Sequence, residues 1–259
     1  MPEGNGRITR GLSARSRGTP PEPLVIPPQH FYRTAAFPCP YIPGRFERKL
    51  VTELAGREAL TFYNALSRAG FRRSHHLAYR PACIGCAACV PVRIPVAGFH
   101  LSRSLRRIQK TNADLTARVE EREASLEQFR LFQRYQRSRH ADSDMASMTF
   151  GDFRSMIEDS PVHSRIIELR DERGHCLGAC LVDVLDDGLS AVYSFFDPEE
   201  RRRSLGTMLV LALVNAARQA GLPYAYLGYW IAESRKMAYK ARFRPLEALT
   251  PQGWQPLAL

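Results

Sequence analysis

Hydrophobic and polar positions change their period along this chain, and the changes divide it. From Phe31 to about Phe99 the pattern is mixed. Lys49-Leu-Val-Thr-Glu-Leu54 reads as a short strand and Arg57 to Ala69 as a helix stopped by Gly70, since glycine takes the left-handed turn that ends helices. Val92-Arg-Ile-Pro-Val96 reads as a strand that Pro95 keeps near an edge, because proline has no N–H for an inner ladder. Residues 102–137 read as helical, with Leu126, Phe129, Phe132 and Tyr135 at helical spacing as core positions. The pattern then changes: 165–170, 175–184 and 190–196 read as strands joined by the turns Asp171-Glu-Arg-Gly174 and Asp186-Asp-Gly188, an antiparallel meander. Arg203-Ser-Leu-Gly-Thr207 opens an apolar helix to about Ala220, Pro223 to Ile231 reads as a buried strand, and a short helix carries Lys236, Tyr239 and Lys240. Cys176 and Cys180, on a strand of the meander, are expected in the core.

This order, a meander followed by helix, strand and helix, predicts an α/β (α+β) fold. An acyltransferase-like domain over 101–250 would follow a smaller cysteine-containing lobe over 31–100, with a C-terminal tail over 251–259. Residues 1–30, rich in Arg, Gly, Ser and Pro, bury too little apolar surface to offset their ordering entropy and are expected as a tail. The 259 residues suffice for one large or two ordinary domains. With 37 Lys plus Arg against 26 Asp plus Glu the net charge is +11, which suits a polyanion such as nucleic acid. No run approaches the roughly 18 apolar residues of a spanning helix and no signal-peptide core opens the chain, so a cytoplasmic protein is expected.

Two clusters carry candidate chemistry. Cys83, Cys86 and Cys89 in Arg80-Pro-Ala-Cys-Ile-Gly-Cys-Ala-Ala-Cys-Val-Pro-Val-Arg93, with Cys39 upstream, could form a four-thiolate zinc centre, hold an iron-sulfur cluster, or stay metal-free and shape a pocket; His75 and His76 are further candidates. Arg103, Arg106, Arg107 and Lys110 fall at i, i+3, i+4 and i+7 with no acid between Leu101 and Asn112. They place four cations on one helix face, suited to tracking phosphates, where a solvated face would mix signs. Arg203-x-x-Gly206 at a strand-to-helix turn resembles the loop by which the GCN5-related N-acetyltransferase fold grips a pyrophosphate, though it is short of glycines.

Taken in order, Phe37-Pro-Cys-Pro-Tyr-Ile-Pro-Gly44, Leu66-Ser-Arg-Ala-Gly-Phe-Arg-Arg-Ser74, the Tyr79 to Cys89 segment, Ser102 to Arg107, Tyr226-Leu-Gly-Tyr-Trp-Ile231 and Lys236-Met-x-Tyr-Lys240 resemble the bacterial aspartate/glutamate leucyltransferases, a branch of the arginyl-tRNA-protein transferase family. The resemblance spans about residues 30–250 and implies a GCN5-related N-acetyltransferase-like C-terminal domain. It also implies transfer of an aminoacyl group, leucyl or alternatively arginyl, from charged tRNA to the α-amine of a protein beginning with Asp or Glu. The product would pass to N-end rule degradation machinery.

Such a reaction needs no cofactor. An aminoacyl ester is already activated and an N-terminal amine has a pKa of about 7.7–8.0, so no strong base is required. The enzyme must supply proximity, donors for the oxyanion and a proton route to the leaving ribose oxygen. Backbone amides near Tyr226 to Tyr229 could serve the oxyanion, with Tyr229 or Tyr239 near the proton. Selection of an acidic first residue calls for a held cation: Arg80, Arg73, Lys236 and Lys240 are the candidates, Arg72 a weaker one, and Arg203 joins the tRNA-contacting set. A non-catalytic nucleic-acid-binding module and an acetyl-coenzyme A acyltransferase are the competing readings.

Overall fold

The computed structural model of the chain describes residues 29–258; residues 1–28 of the expected tail lie outside them. The first part of the chain forms Tyr32–Arg33 (β1), Phe37–Pro38 (β2), Phe46–Glu47 (β3), Lys49–Glu53 (β4), Ala59–Arg68 (α1), Arg72–Ser74 (β5), Leu77–Pro81 (β6) and Val90–Pro95 (β7). There follow Arg103–Thr111 (α2), Thr116–Glu121 (β8), Leu126–Arg139 (α3) and Phe150–Glu158 (α4). Ser164–Arg170 (β9), Cys176–Val184 (β10), Gly188–Phe196 (β11), Leu205–Gln219 (α5), Tyr224–Trp230 (β12), Glu247–Thr250 (β13) and Gly253–Pro256 (β14) complete the chain. Short 3-10 turns at Arg201–Arg203 and Ala238–Arg242 flank α5 and β12.

Helix starts follow side-chain chemistry. Ser102 accepts from the Leu105 amide to open α2, and reciprocal capping boxes, Ser125 with Gln128 and Thr149 with Asp152, open α3 and α4. The apolar helix α5 is buried over most of its surface. It packs with Val92, Ile94, Ile167, Leu169, Val182 and Ala225 in the main core. A second cluster lies under α3 and α4 around Phe132, Phe153 and Phe195, and a third joins α1 to Val162, Leu185 and Tyr226.

The expected meander is present: β9, β10 and β11 are antiparallel neighbours within an eight-stranded sheet of order β14-β13-β7-β12-β11-β10-β9-β8. Three expectations need correction. Residues 102–137 are not one helical stretch, because Thr116–Glu121 pairs with β9 as an edge strand; all six residues are exposed and Val119 is the one large apolar residue among them, so no apolar alternation marks them. The strand containing Pro95 lies inside the sheet, between β12 and β13. This is possible because Pro91 and Pro95 stand toward its ends, whereas β13 pairs only through Val92 and Arg93. Residues 253–256 are not a tail but a strand paired with β13. The cysteine-containing lobe, a four-stranded sheet of order β1-β4-β6-β5, thus hands its last strand to the main sheet.

The one parallel pair positions the site. β11 and β12 pair only over Gly188–Ser190 with Tyr224–Tyr226, although β11 runs on to Phe196 and β12 to Trp230. Where pairing stops, Arg72 of β5 reaches in: its Nη1 donates to Ser190 Oγ at 2.6 Å and its Nη2 to the Ala191 carbonyl. Gly228, at φ +76°, makes room, since a Cβ there would lie 3.1 Å from Arg72 Nε.

Candidate active site: the cleft between the splayed strands

Beyond Ser190 the parted strands open a cavity of about 640 Å³. Cys180, Ala191, Leu227 and Lys240 lie among its lining residues, with Leu205, Leu209, Val210 and Leu213 contributed by α5. Tyr135, Tyr193 and Phe196 add aromatic surface, Arg139, Arg201 and Lys236 add positive charge, and the His140 imidazole stands beside them. The acids Asp197 and Glu200 border it too, but Asp197 pairs with Arg134 at 3.1 Å and Glu200 with Arg203 at 3.1 Å. Another depression, between Arg122, Phe150 and Glu158, is bordered by the Arg154–Glu158 ion pair and gathers none of the candidate residues.

Lys240 is 6% exposed, and its Nζ donates to the Tyr229 carbonyl at 2.5 Å and stands 3.8 Å from Met237 Sδ. Burial, then the neighbouring Arg72 charge, lowers its pKa to about 7. Tyr239 also lines the cleft, its phenol pushed up to about 12 by burial. Lys236 is exposed at the cleft and, after burial, is the first of the charges that hold His140 below its usual pKa.

Other predicted residues stand elsewhere. Tyr229 points to the cysteine-containing lobe: its hydroxyl lies 3.0 Å from the Gly70 carbonyl and 3.2 Å from that of Tyr79, and it borders a smaller pocket of about 410 Å³ with Arg80, Cys83, Cys86 and Cys89. Its hydroxyl does not line the cleft: Leu227 does, and the register shift at Gly228, φ +76°, turns Tyr229 to the other face instead of leaving it two places along on the same one. Arg80 is exposed, 5.3 Å from the Phe71 ring centroid. Arg73 cannot read a substrate: its fork is closed on Asp183 at 2.6 and 2.8 Å, with both side chains excluded from solvent. The Arg203 guanidinium is likewise turned away from any phosphate at the α5 start and onto Asp114, at 2.8 and 2.9 Å, holding that carboxyl below the usual range. Arg103, Arg106, Arg107 and Lys110 lie exposed on α2 as expected.

Cys39, Cys83, Cys86 and Cys89 gather in the first lobe. Burial, then Cys39, Cys83 and Cys86, pushes the Cys89 thiol up to about 12. Cys86 Sγ accepts from Arg45 at 3.2 Å, and Cys83 Sγ stands 3.5 Å from the Arg48 amide. Among the described residues no three His, Cys, Asp or Glu side chains form a group that could hold a metal ion. His75 and His76 are exposed, and Cys176 and Cys180 are core residues as expected.

Arg72, the weaker candidate, has its fork tied to Ser190 and the Ala191 carbonyl, and sequence reasoning did not single out Arg139, His140 and Arg201 of the cleft lining. The run Arg201-Arg-Arg203 was the one local signal available.

A meander, one parallel pair that splays, a helix starting at the opening and a cleft between the parted strands define an acyltransferase fold of the GCN5-related N-acetyltransferase kind. Family models described as the N terminus and the C terminus of arginine-tRNA-protein transferase match residues 37–107 and 127–250. The chain belongs to the arginine-tRNA-protein transferase family. It is 58% identical to the aspartate/glutamate leucyltransferase of Paramagnetospirillum magneticum over 89% of this chain and 95% of that one. To the protein of the same name from Rhodospirillum rubrum it is 53% identical, over 88% and 93%. Among solved structures, L-PGS from Bacillus licheniformis overlaps with a TM-score of 0.46 at 14% identity, covering 70% of this chain and 54% of that one, too loose a match to bear on function. No helix among the described residues is long and apolar enough to cross a membrane.

Proposed function

We propose that the chain transfers leucine from leucyl-tRNA to the α-amine of proteins beginning with Asp or Glu, with the chemistry in the cleft between β11 and β12. The observation that carries this reading is the character of the cleft. Its α5 wall is apolar, the buried Lys240 in its lining and the buried Arg72 beneath Ala191 have no carboxylate partner among the described residues, and its two acids are already engaged. An apolar donor side chain and an acidic acceptor suit that lining. An arginyl donor would bring a further guanidinium to a cleft already lined by Arg139, Arg201 and Lys236, with no free carboxylate to receive it.

The cations Arg139, Arg201 and Lys236 support entry of the tRNA 3' end. Asn112, which caps α2, donates to the Arg203 carbonyl at 2.8 Å, so the basic α2 face leads to the turn beside the cleft. Backbone amides left unpaired where the strands part would receive the oxyanion, and fixing ester and amine together supplies most of the acceleration. Lys236, exposed at the cleft, would meet the acceptor's carboxylate. The product, bearing a new N-terminal leucine, would go to the N-end rule degradation machinery, and its tRNA substrate sets the work in the cytoplasm.

The test is transfer of labelled leucine, with arginine in parallel, from charged tRNA to peptides beginning with Asp, Glu, Lys or Ala. Leucine label on the Asp and Glu peptides alone is expected. Arginine label would overturn the donor assignment, and no label from either, with tRNA bound, would favour a non-catalytic binding module.

A further inference from the structure

Two buried basic side chains lie near one another where the strands part, Lys240 in the cleft lining and Arg72 beneath Ala191, and neither is paired with an acid among the described residues. Arg72 enters from β5, and its fork is held by Ser190 and the Ala191 carbonyl. Lys240 enters from the 3-10 turn after β12 and lines the cavity. A permanently charged guanidinium beside an amine, both shut from water, favours the form of the amine that carries no charge. The contacts of Nζ agree with that form. The Tyr229 carbonyl and Met237 Sδ are both acceptors, and they occupy the two N–H groups of a neutral amine. A third N–H, which only the ammonium has, finds no protein acceptor among the described residues.

We propose that Lys240 is the catalytic proton carrier of the transfer, taking a proton from the attacking α-nitrogen and delivering it to the ribose oxygen that leaves; this rests on the aminoacyl-transfer reading above. The acceptor's α-ammonium first loses one proton to solvent. The neutral amine then attacks the ester carbonyl, forming the C–N bond and placing positive charge on nitrogen. Neutral Lys240 removes one proton from that nitrogen. As the intermediate collapses, the C–O bond to the ribose breaks, and the Lys240 ammonium protonates the departing oxygen, so Lys240 ends neutral. The atoms and charges balance with one proton released overall. A carrier that ionises near neutrality is matched to both halves of this step, since it accepts and donates with equal ease.

The groups acting on Lys240 are few. Arg72 from β5 lowers its proton affinity, and Cys89 from the loop before β7 acts in the opposite sense at longer range. Cys180 of β10 and Tyr239, which share the cleft, both have acidic protons pushed up to about 12 and remain uncharged at neutral pH. Arg72 is on this account a positioning residue, acting through Lys240.

The experiment is single-turnover leucine transfer from saturating leucyl-tRNA to a Glu-starting peptide as a function of pH. The intact chain is expected to show two deprotonations on the acid limb, one from the peptide amine and one enzyme group near 7. Lys240→Gln should slow transfer about 10²- to 10⁴-fold and leave only the peptide's limb. Lys240→Arg keeps a cation and a donor but cannot carry the proton, so it should be as slow as Lys240→Gln; recovery to within a few-fold of the parent would overturn the proposal in favour of a fixed positive charge. Arg72→Gln removes the like charge and should move the enzyme limb to higher pH. If neither Lys240 variant folds, the parent profile and Arg72→Gln decide: a single limb that Arg72→Gln leaves in place would overturn the role. Absence of transfer by the parent from any charged tRNA would sink the functional reading and this role with it. Normal transfer by the parent and an unaltered rate in Lys240→Gln would sink this role alone.

Discussion

Arg73→Met is expected to unbalance the chain's most enclosed charge pair and leave its chemistry intact. Asp183 on β10 receives Arg73 Nε and Nη2 at 2.8 and 2.6 Å and the Ser164 hydroxyl at 2.8 Å, and neither charged side chain reaches solvent. Removing the guanidinium strands a buried carboxylate on one serine. The cost of breaking such a pair from one side is about 3–5 kcal/mol, two to nearly four decades in the folding equilibrium and a large share of a typical total of about 5–15 kcal/mol. Removing both charges together, in Arg73→Met with Asp183→Leu, should recover most of that loss, because a packed apolar pair carries no desolvation penalty. Urea denaturation reads both. At a temperature where Arg73→Met is still folded, its KM for a Glu-starting peptide should stay within about two-fold of the parent's, as expected of a residue that meets no substrate. A midpoint equal to the parent's, or a folded variant that had lost acidic acceptors selectively, would refute the reasoning and return Arg73 to the substrate.

Other expected outcomes follow from the same geometry. Tyr229→Phe should lower stability by about 1–3 kcal/mol, because the buried Gly70 carbonyl, the nearer of the two that compete for its one hydroxyl proton, loses its donor, while single-turnover transfer stays at the parent rate; a large loss of rate in folded protein would restore the hydroxyl to the chemistry. Replacing Arg106, Arg107 and Lys110 by Ala should weaken tRNA binding at low salt and reduce the slope of affinity against salt by roughly 3, with peptide KM unmoved. Gly206→Ala would place a Cβ 2.9 Å from Phe196 Cε1, and since both residues line the cleft, KM for aminoacyl-tRNA should rise as the ring is displaced; an unchanged KM would mean the ring yields without narrowing the site.

The parts of the fold that sequence pattern conveyed are those whose own residues dictate them. The meander strands are short, mostly apolar runs bounded by turn residues, and the α5 segment is apolar enough to lie only in a core. β8 escaped notice because it is an exposed edge with Val119 as its one large apolar residue, made a strand by β9 rather than by its own pattern. The inner place of β7 depends on β13, more than a hundred and fifty residues later, which no local signal announces. The cleft shows the same limit. Lys236, Tyr239 and Lys240 drew notice because they share one short motif, but their partners Cys180, Ala191 and Arg201 come from other elements. Arg72 and Arg73 are adjacent on one strand, so period two sends them to opposite faces, one to the parted strands and one to Asp183. From sequence alone both look like surface cations.

The account stands on the cleft between β11 and β12 being the place of transfer. The most direct measurement is single-turnover transfer of leucine to a Glu-starting peptide by Ala191→Trp, whose indole would fill the floor beside Cys180 and Leu227. The account predicts that transfer falls to background while tRNA binding and the urea midpoint remain close to the parent's. Transfer at the parent rate by the filled protein would contradict it, and the reaction would then have to be sought in the smaller pocket beside Tyr229 and the cysteines.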